Sequence, residues 1–79
     1  MPKLRRISGK ELVKILLNEG FLELRQKGSH VRLVVETRDS SHYITVPLHD
    51  ELDRGTLKSI IRSLQNCFSE EKIKKLFYA

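Results

Sequence analysis

The sequence contains a single cysteine, no long apolar segment and no recognisable secretory signal. Cys67 has no second cysteine to pair with, which excludes an internal disulfide and favours a reducing compartment. No apolar stretch approaches the roughly 20 residues that a membrane-spanning helix needs. The basic residues 1–8 lack the apolar core of a secretory signal. We therefore expect a cytoplasmic protein in which Cys67 is a small residue of the hydrophobic core.

The motifs of many enzyme classes are missing as well. The three histidines and the acidic residues show no metal-ligand spacing such as H-E-x-x-H or C-x-x-C. The sequence has no phosphate-binding P-loop, nucleophile elbow or dinucleotide fingerprint. We therefore expect neither a metal nor a cofactor. The 79 residues contain no internal repeat, low-complexity segment or linker, which predicts one domain over residues 1–79.

Positive charge is what the chain has in excess. Lysine and arginine together number 15 against 10 aspartates and glutamates, which gives a formal net charge of +5. Such a balance favours polyanionic partners, with nucleic acid first and an anionic membrane surface second. Charge alone does not identify the partner, because many basic domains bind neither.

Hydrophobic spacing predicts the element order α-β-β-β-α, followed by a short last helix. Ser8 and Glu11 have the spacing of a capping box, and Ser69 is the N-cap expected for the last helix. Two helices on one side of a three-stranded antiparallel sheet bury every apolar face, so we predict an α+β fold whose second sheet face is open to solvent. The two predicted helices before Ser69 span residues 9–19 and 55–66. The three predicted strands span residues 21–27, 30–37 and 42–46.

The first two strands predict a hairpin that gathers polar residues on this open face. Gly28-Ser29 suits a two-residue type II′ turn, which wants glycine first. The alternation of apolar residues orients each strand, whatever the exact register of the turn. The residues predicted to face the helices are Leu22, Leu24, Val31, Leu33 and Val35. On the open face, Lys27 is predicted to lie opposite His30, and Arg25 opposite Arg32.

The opposed arginines indicate a binding site for phosphates. Like charges across a ladder destabilise it, and a bound anion would relieve the repulsion between Arg25 and Arg32. The alternative is an ordinary solvated face, since any half-exposed sheet carries its charges outward. His30, among these cations, could as a neutral imidazole remove the proton of a ribose 2′-hydroxyl, so that attack on the adjacent phosphorus breaks RNA without a metal. The alternative is a plain exposed histidine.

Three other side chains are weaker candidates. Ser29 could hydrogen-bond a phosphate, although a turn serine needs no further reason. His49 follows the third strand and could be a second proton-transfer or substrate-positioning group, or an ordinary loop histidine. His42 is most simply a residue at the edge of a strand.

Several short motifs together resemble those of the HicA (YcfA-like) toxin family, in order and spacing, from about Ile7 to Phe68. They are Gly20-Phe21, Lys27-Gly28-Ser29-His30, Val46-Pro47-Leu48-His49, Glu51-Leu52 and Gly55-Thr56-Leu57 with Ile60-Ile61. One departure lies at the end of the second long helix. The family tends to have Ala-Gly-Leu there, and this chain has Asn66-Cys67-Phe68. Asn66 can adopt the left-handed conformation that closes a helix.

The resemblance implies a fold like that of double-stranded-RNA-binding domains, and an mRNA interferase activity. It implies that His30, the histidine of the G-S-H motif, is catalytic. It also implies a HicB-type antitoxin that blocks the toxin directly. The main alternative is a non-catalytic double-stranded-RNA-binding module, which is disfavoured because residues 54–58 hold only two cations where such modules carry a lysine cluster. A purely protein-binding module is a third possibility that the net charge disfavours.

Overall fold

The computed structural model describes residues 3–79. Met1 and Pro2, which the predicted domain included, lie outside the described residues. The three strands form one antiparallel sheet in the order β1-β2-β3, and the predicted α+β arrangement is confirmed. The elements are α1 (Gly9–Asn18), β1 (Leu22–Lys27), β2 (His30–Glu36), β3 (Ser41–Pro47), α2 (Arg54–Leu64) and α3 (Glu70–Phe77).

Each helix begins at a side chain that accepts a hydrogen bond from its first turn. The Ser8 hydroxyl accepts from the Glu11 N–H at 3.0 Å, and the Glu11 carboxylate accepts from the Ser8 N–H at 2.9 Å. This is the predicted capping box, and its hydrogen bonds from Ser8 lower the pKa of Glu11. Asp53 and Ser69 accept in the same way from the third residue of α2 and of α3.

The hydrophobic core lies between one face of the sheet and the helices, and all three helices contribute to it. Cys67 packs half-buried against this core, and burial raises the pKa of its thiol. Within residues 3–79, no helix combines the length and the apolar character that a membrane span requires. The core side chains with no solvent exposure are Leu12, Leu16, Leu33, Val46, Leu64 and Phe77.

Strand β1 departs from the regular alternation that the sequence predicts. Its pairing with β2 shifts between Glu23 and Arg25, so Leu24 is the extra residue of a β-bulge. Leu22 lies opposite Val34 and is 68% exposed, and Leu24 is 52% exposed. The prediction that Leu22 faces the helices is therefore wrong, because one extra residue reverses the alternation before it. The prediction that Leu24 packs against the helices is also wrong, because Leu24 is the extra residue and is exposed. The residues after the bulge keep their predicted side.

The end of α2 differs from the expectation for Asn66. Within residues 3–79, no residue other than glycine has a positive φ, so Asn66 does not use the left-handed conformation. Gln65 ends the helix in a right-handed conformation. The N–H groups of Asn66 and Cys67 donate to the carbonyls of Ser63 and Leu64. Because these tighter bonds already satisfy the last carbonyls, a left-handed cap is not needed.

The first and last described residues pair with each other. The N–H of Lys3 donates to the carbonyl of Ala79 at 2.7 Å, and the N–H of Ala79 donates to the carbonyl of Lys3 at 2.9 Å. The N–H of Arg5 donates to the carbonyl of Phe77 at 2.8 Å. These bonds join α3 to the segment that precedes α1.

Candidate active site

The turn between β1 and β2 fixes the position of His30. Gly28 has a φ of +58°, in the left-handed region that favours glycine, whereas Ser29 has no positive φ. This is the combination of a type II′ turn, as predicted. Lys27 and His30 are the strand residues that flank the turn, and they lie directly opposite each other. His30 is therefore the first residue of β2, and it is exposed.

Three rows of side chains cross the open face of the sheet. Directly opposite residues of neighbouring strands share a face, and so do alternate residues of one strand. We name each row after its characteristic side chains. The histidine row is Lys27, His30 and Pro47; the arginine row is Arg25, Arg32 and Thr45; the apolar row is Leu22, Val34 and Tyr43.

An open cavity of about 160 Å³ lies where the histidine row meets the arginine row. Its lining includes one imidazole and three cationic side chains. Within residues 3–79, none of these cations forms a salt bridge, so their charge is not compensated by the protein. The lining residues are Arg25, Lys27, His30, Arg32 and Thr45. The structure thus brings together the four residues that the hairpin pattern placed on one face.

Two residues of β3 hold Arg32 in position. Nη1 of Arg32 donates to Oγ1 of Thr45 at 3.1 Å. The guanidinium carbon of Arg32 lies 5.1 Å from the centroid of the Tyr43 ring, which is a cation–π contact. Sequence reasoning missed both residues. Tyr43 and Thr45 alternate with the buried Ile44 and Val46, a pattern that indicates the open face, but their alignment with β2 depends on the geometry of the preceding loop.

The remaining predicted residues lie outside the cavity lining. Ser29 is exposed in the turn, and its carbonyl accepts a hydrogen bond of 2.6 Å from the residue before His49. His49 is exposed beyond the end of β3, where its carbonyl accepts from the Gly9 N–H at 2.9 Å. His42 lies 3.2 Å from the hydroxyl of Ser40, through Nε2. His49 nevertheless lies at the same end of the sheet as His30, because the partner of His30 in β3 is Pro47.

The cavity presents the chemistry of an anion site with a proton-transfer group. Unpaired guanidinium and ammonium groups bind phosphate oxygens through charge-assisted hydrogen bonds. An imidazole next to them is a side chain that can serve as a general base or acid. Within the described part of the chain, no group of three or more histidine, cysteine, aspartate or glutamate side chains is placed to hold a metal ion.

One protein-family comparison relates the chain to known proteins. The family model described as HicA toxin of bacterial toxin–antitoxin systems matches residues 9–65, well over half of the chain. The chain belongs to the HicA toxin family. Membership in the HicA family gives it a toxin role, and an antitoxin as partner. The HicA match spans α1, the sheet and α2, so it contains the whole cavity, whereas α3 lies outside it. No curated protein and no solved structure shows significant similarity to the chain.

Proposed function

We propose that this HicA-family chain is a metal-independent endoribonuclease that cleaves mRNA in the cytoplasm, with His30 as its general base. One observation carries the proposal. The exposed imidazole of His30 shares a cavity with three cations that no carboxylate neutralises within residues 3–79. The toxin role of the family supplies the biological context, and mRNA is a polyanion that suits this cavity.

The proposed reaction takes its nucleophile from the substrate. His30 accepts the proton of a ribose 2′-hydroxyl, and the 2′-oxygen forms a bond to the adjacent phosphorus. The bond from phosphorus to the 5′-oxygen breaks at the same time. The 5′-oxygen leaves with a proton that His30 returns as an acid, or that a second group supplies. Because no water has to be activated, the step needs no metal.

The cations of the cavity stabilise the negative charge that develops on the phosphate. Arg25, Lys27 and Arg32 are the proposed RNA-binding residues, and Ser29 adds a hydroxyl donor at the turn. Arg32 is already oriented by its bond to Thr45, so little reorganisation is needed when the charge appears.

His49 is the proposed second proton-transfer or substrate-positioning group. It lies near the end of β3 that pairs with His30, although its side chain does not line the cavity. The two roles differ in the expected severity of His49→Ala. If His49 is the acid that protonates the 5′-oxygen, His49→Ala should lower the cleavage rate about as much as His30→Ala does. If His49 only positions the substrate, the rate should fall less.

We further propose that the antitoxin is of the HicB type and covers this face. Three cations that form no salt bridge within residues 3–79 favour an acidic partner surface, since complementary potentials favour association. An antitoxin seated over His30 and Arg32 would exclude RNA from the cavity.

The test of the proposed function is His30→Ala in a purified RNA-cleavage assay. His30 is exposed, so the free energy of unfolding should change by less than about 1 kcal/mol. Loss of a general base lowers the rate by roughly 10²–10⁴-fold. The variant should fold, bind RNA and its antitoxin, and yet fail to cleave RNA or arrest growth.

His42→Ala is the matched control, because it removes another histidine of the sheet that lies outside the cavity. It should cleave at the wild-type rate, and the wild-type reaction should persist in EDTA. Wild-type cleavage by folded His30→Ala protein would contradict the assigned role. A wild-type protein that binds RNA without cleaving it would instead be the non-catalytic RNA-binding module.

A further inference from the structure

The apolar row is the part of the open face that the proposed chemistry does not use. Leu22, Val34 and Tyr43 lie directly opposite one another across all three strands. Leu22 is 68% exposed and Tyr43 is 52% exposed, whereas Val34 between them is only 9% exposed. Contiguous apolar side chains on a solvated surface mark binding sites more often than isolated ones do.

The bulge at Leu24 creates this row. Without the extra residue, strand alternation would turn Leu22 toward the helices. With it, Leu22 joins Arg25 on the open face, and a large aliphatic side chain stands in solvent. Leu22 and Tyr43 stand exposed on either side of Val34 and do not belong to the core, so the arrangement is suited to a ligand that lies across the three strands.

Arg32 connects the apolar row to the phosphate site. It lies in the arginine row, and its guanidinium contacts the Tyr43 ring at 5.1 Å. Neighbouring rows are two residues apart along a strand, which is roughly 7 Å. A phosphate held by Arg32 therefore lies beside the Tyr43 ring. The nucleoside attached to that phosphate can reach the apolar row.

We propose that the apolar row is a nucleobase subsite in which Tyr43 and Leu22 stack an unpaired base of the RNA next to the phosphate held by Arg32. The inference rests on the proposed function and narrows its substrate to RNA that is single-stranded at this point. Bases inside a duplex have both faces covered by their neighbours, whereas an unpaired base can stack on an aromatic ring.

A protein is the competing occupant of the apolar row, and the antitoxin proposed to cover this face would be seated over His30 and Arg32, in the two rows beside it. A stable protein interface buries about 800 Å² on each partner, far more than three side chains supply. The row also borders cations that form no salt bridge in the described part of the chain, and sites that bind single-stranded nucleic acid combine cations with aromatic rings. These two features favour RNA.

The experiment measures binding in a His30→Ala background, so that the probe is not cleaved. The probe is a short fluorescein-labelled oligouridylate, compared with the same strand paired to oligoadenylate. Tyr43→Thr removes the ring but keeps a residue that favours strands. It should weaken binding of the single strand by roughly 5- to 150-fold, the range expected for one lost base stack, and leave duplex binding unchanged. Tyr43→Phe should restore the affinity.

The salt dependence of binding distinguishes two explanations for a loss of affinity, the loss of a base stack and the displacement of Arg32. Loss of a stack leaves the log–log salt slope unchanged, whereas loss of the Arg32 phosphate contact flattens it. Leu22→Ser should also weaken binding, and Leu17→Ser, at the exposed leucine of α1, is its matched control. Unchanged affinity of Tyr43→Thr, an equal loss on the duplex, or a flattened slope would overturn the subsite. If the His30→Ala parent binds neither probe, the proposed function itself fails.

Discussion

Arg25 and Arg32 stand directly opposite each other with no carboxylate partner within residues 3–79. Like charges in this position destabilise the empty sheet. A bound phosphate reverses the sign of their contribution, because each arginine then contacts an anion. The opposed arginines therefore favour the phosphate-bound protein over the free one.

Removal of both arginines should change how RNA binding depends on salt. Arg25→Gln with Arg32→Gln should flatten the salt dependence of RNA binding, since each lost phosphate contact removes about 0.7 from the log–log slope on single strands. The free protein should unfold at a urea concentration close to that of wild type, because the lost repulsion is offset by the lost contacts of Arg32 with Thr45 and Tyr43. Fluorescence anisotropy over a salt series, with urea unfolding of the free protein, measures both.

Arg38→Gln with Arg62→Gln is the control, since it removes the same charge from residues outside the cavity lining. Its slope should stay close to that of wild type. An unchanged slope in the cavity variant would move the phosphate-binding surface elsewhere.

The sequence predicts the positions of some site residues on the open face but not of others. Lys27 and His30 were predictable because a Gly-Ser turn of two residues allows one register. Thr45 and Tyr43 were not, because the loop over 37–40 leaves the alignment of β3 with β2 undetermined. Leu22 was assigned to the wrong face because nothing in the alternating pattern of β1 signals a bulge.

Among the helices and strands, the helix starts were the easiest features to predict. The capping box of Ser8 and Glu11 and the N-cap Ser69 were visible as spacings and are present in the structure. The helix ends were harder. α2 ends at Leu64, two residues before the predicted limit, because backbone bonds after it replace the expected cap at Asn66.

The N-cap of α2 makes the stability of this helix depend on pH. Hydrogen bonds from the Thr56 hydroxyl and the Thr56 N–H hold the pKa of Asp53 below its ordinary value of 3.8. A carboxyl group whose pKa is lowered on folding stabilises the fold at pH values above the pKa that it has in the unfolded chain. This stabilisation is lost as the pH falls through the pKa that the group has in the folded protein. Asp53→Asn keeps an oxygen acceptor but has no proton to gain, so its stability should fall less in acid than that of wild type.

Urea unfolding at a series of pH values, from neutral to below 3.8, measures this difference. Asp50→Asn is the control, because it removes a carboxylate of the same loop that makes no side-chain hydrogen bond within residues 3–79. It should follow the wild-type curve. Equal acid sensitivity of wild type and Asp53→Asn would show that the cap is not a source of the pH dependence.

Helix α3 completes the hydrophobic core of the molecule, although it lies outside the family match. The match ends at residue 65, yet Phe77 is fully buried and Ile73 is 5% exposed. Backbone hydrogen bonds from Lys3 and Arg5 hold the end of α3 in place. We infer that α3 and the segment before α1 stabilise the domain without contributing to the cavity.

Phe77→Ala should therefore destabilise the fold strongly. Removal of a fully buried phenylalanine costs roughly 3–5 kcal/mol, a large part of the 5–15 kcal/mol typical of a small domain. Circular dichroism during urea unfolding measures the change. Leu17→Ala, at an exposed leucine, should change stability by about 0.5 kcal/mol or less. Similar small effects of both substitutions would show that α3 is dispensable for the core.

The bulge at Leu24 has a consequence for self-association. β1 is an edge strand, and an edge strand offers free N–H and C=O groups to any strand of another molecule. Two exposed leucines on β1 would add an apolar attraction to that hazard. The bulge interrupts the regular series of backbone groups and increases the local twist, so a straight strand cannot pair along the whole of β1. The irregularity that turns Leu22 outward thereby also protects the protein against edge-to-edge aggregation.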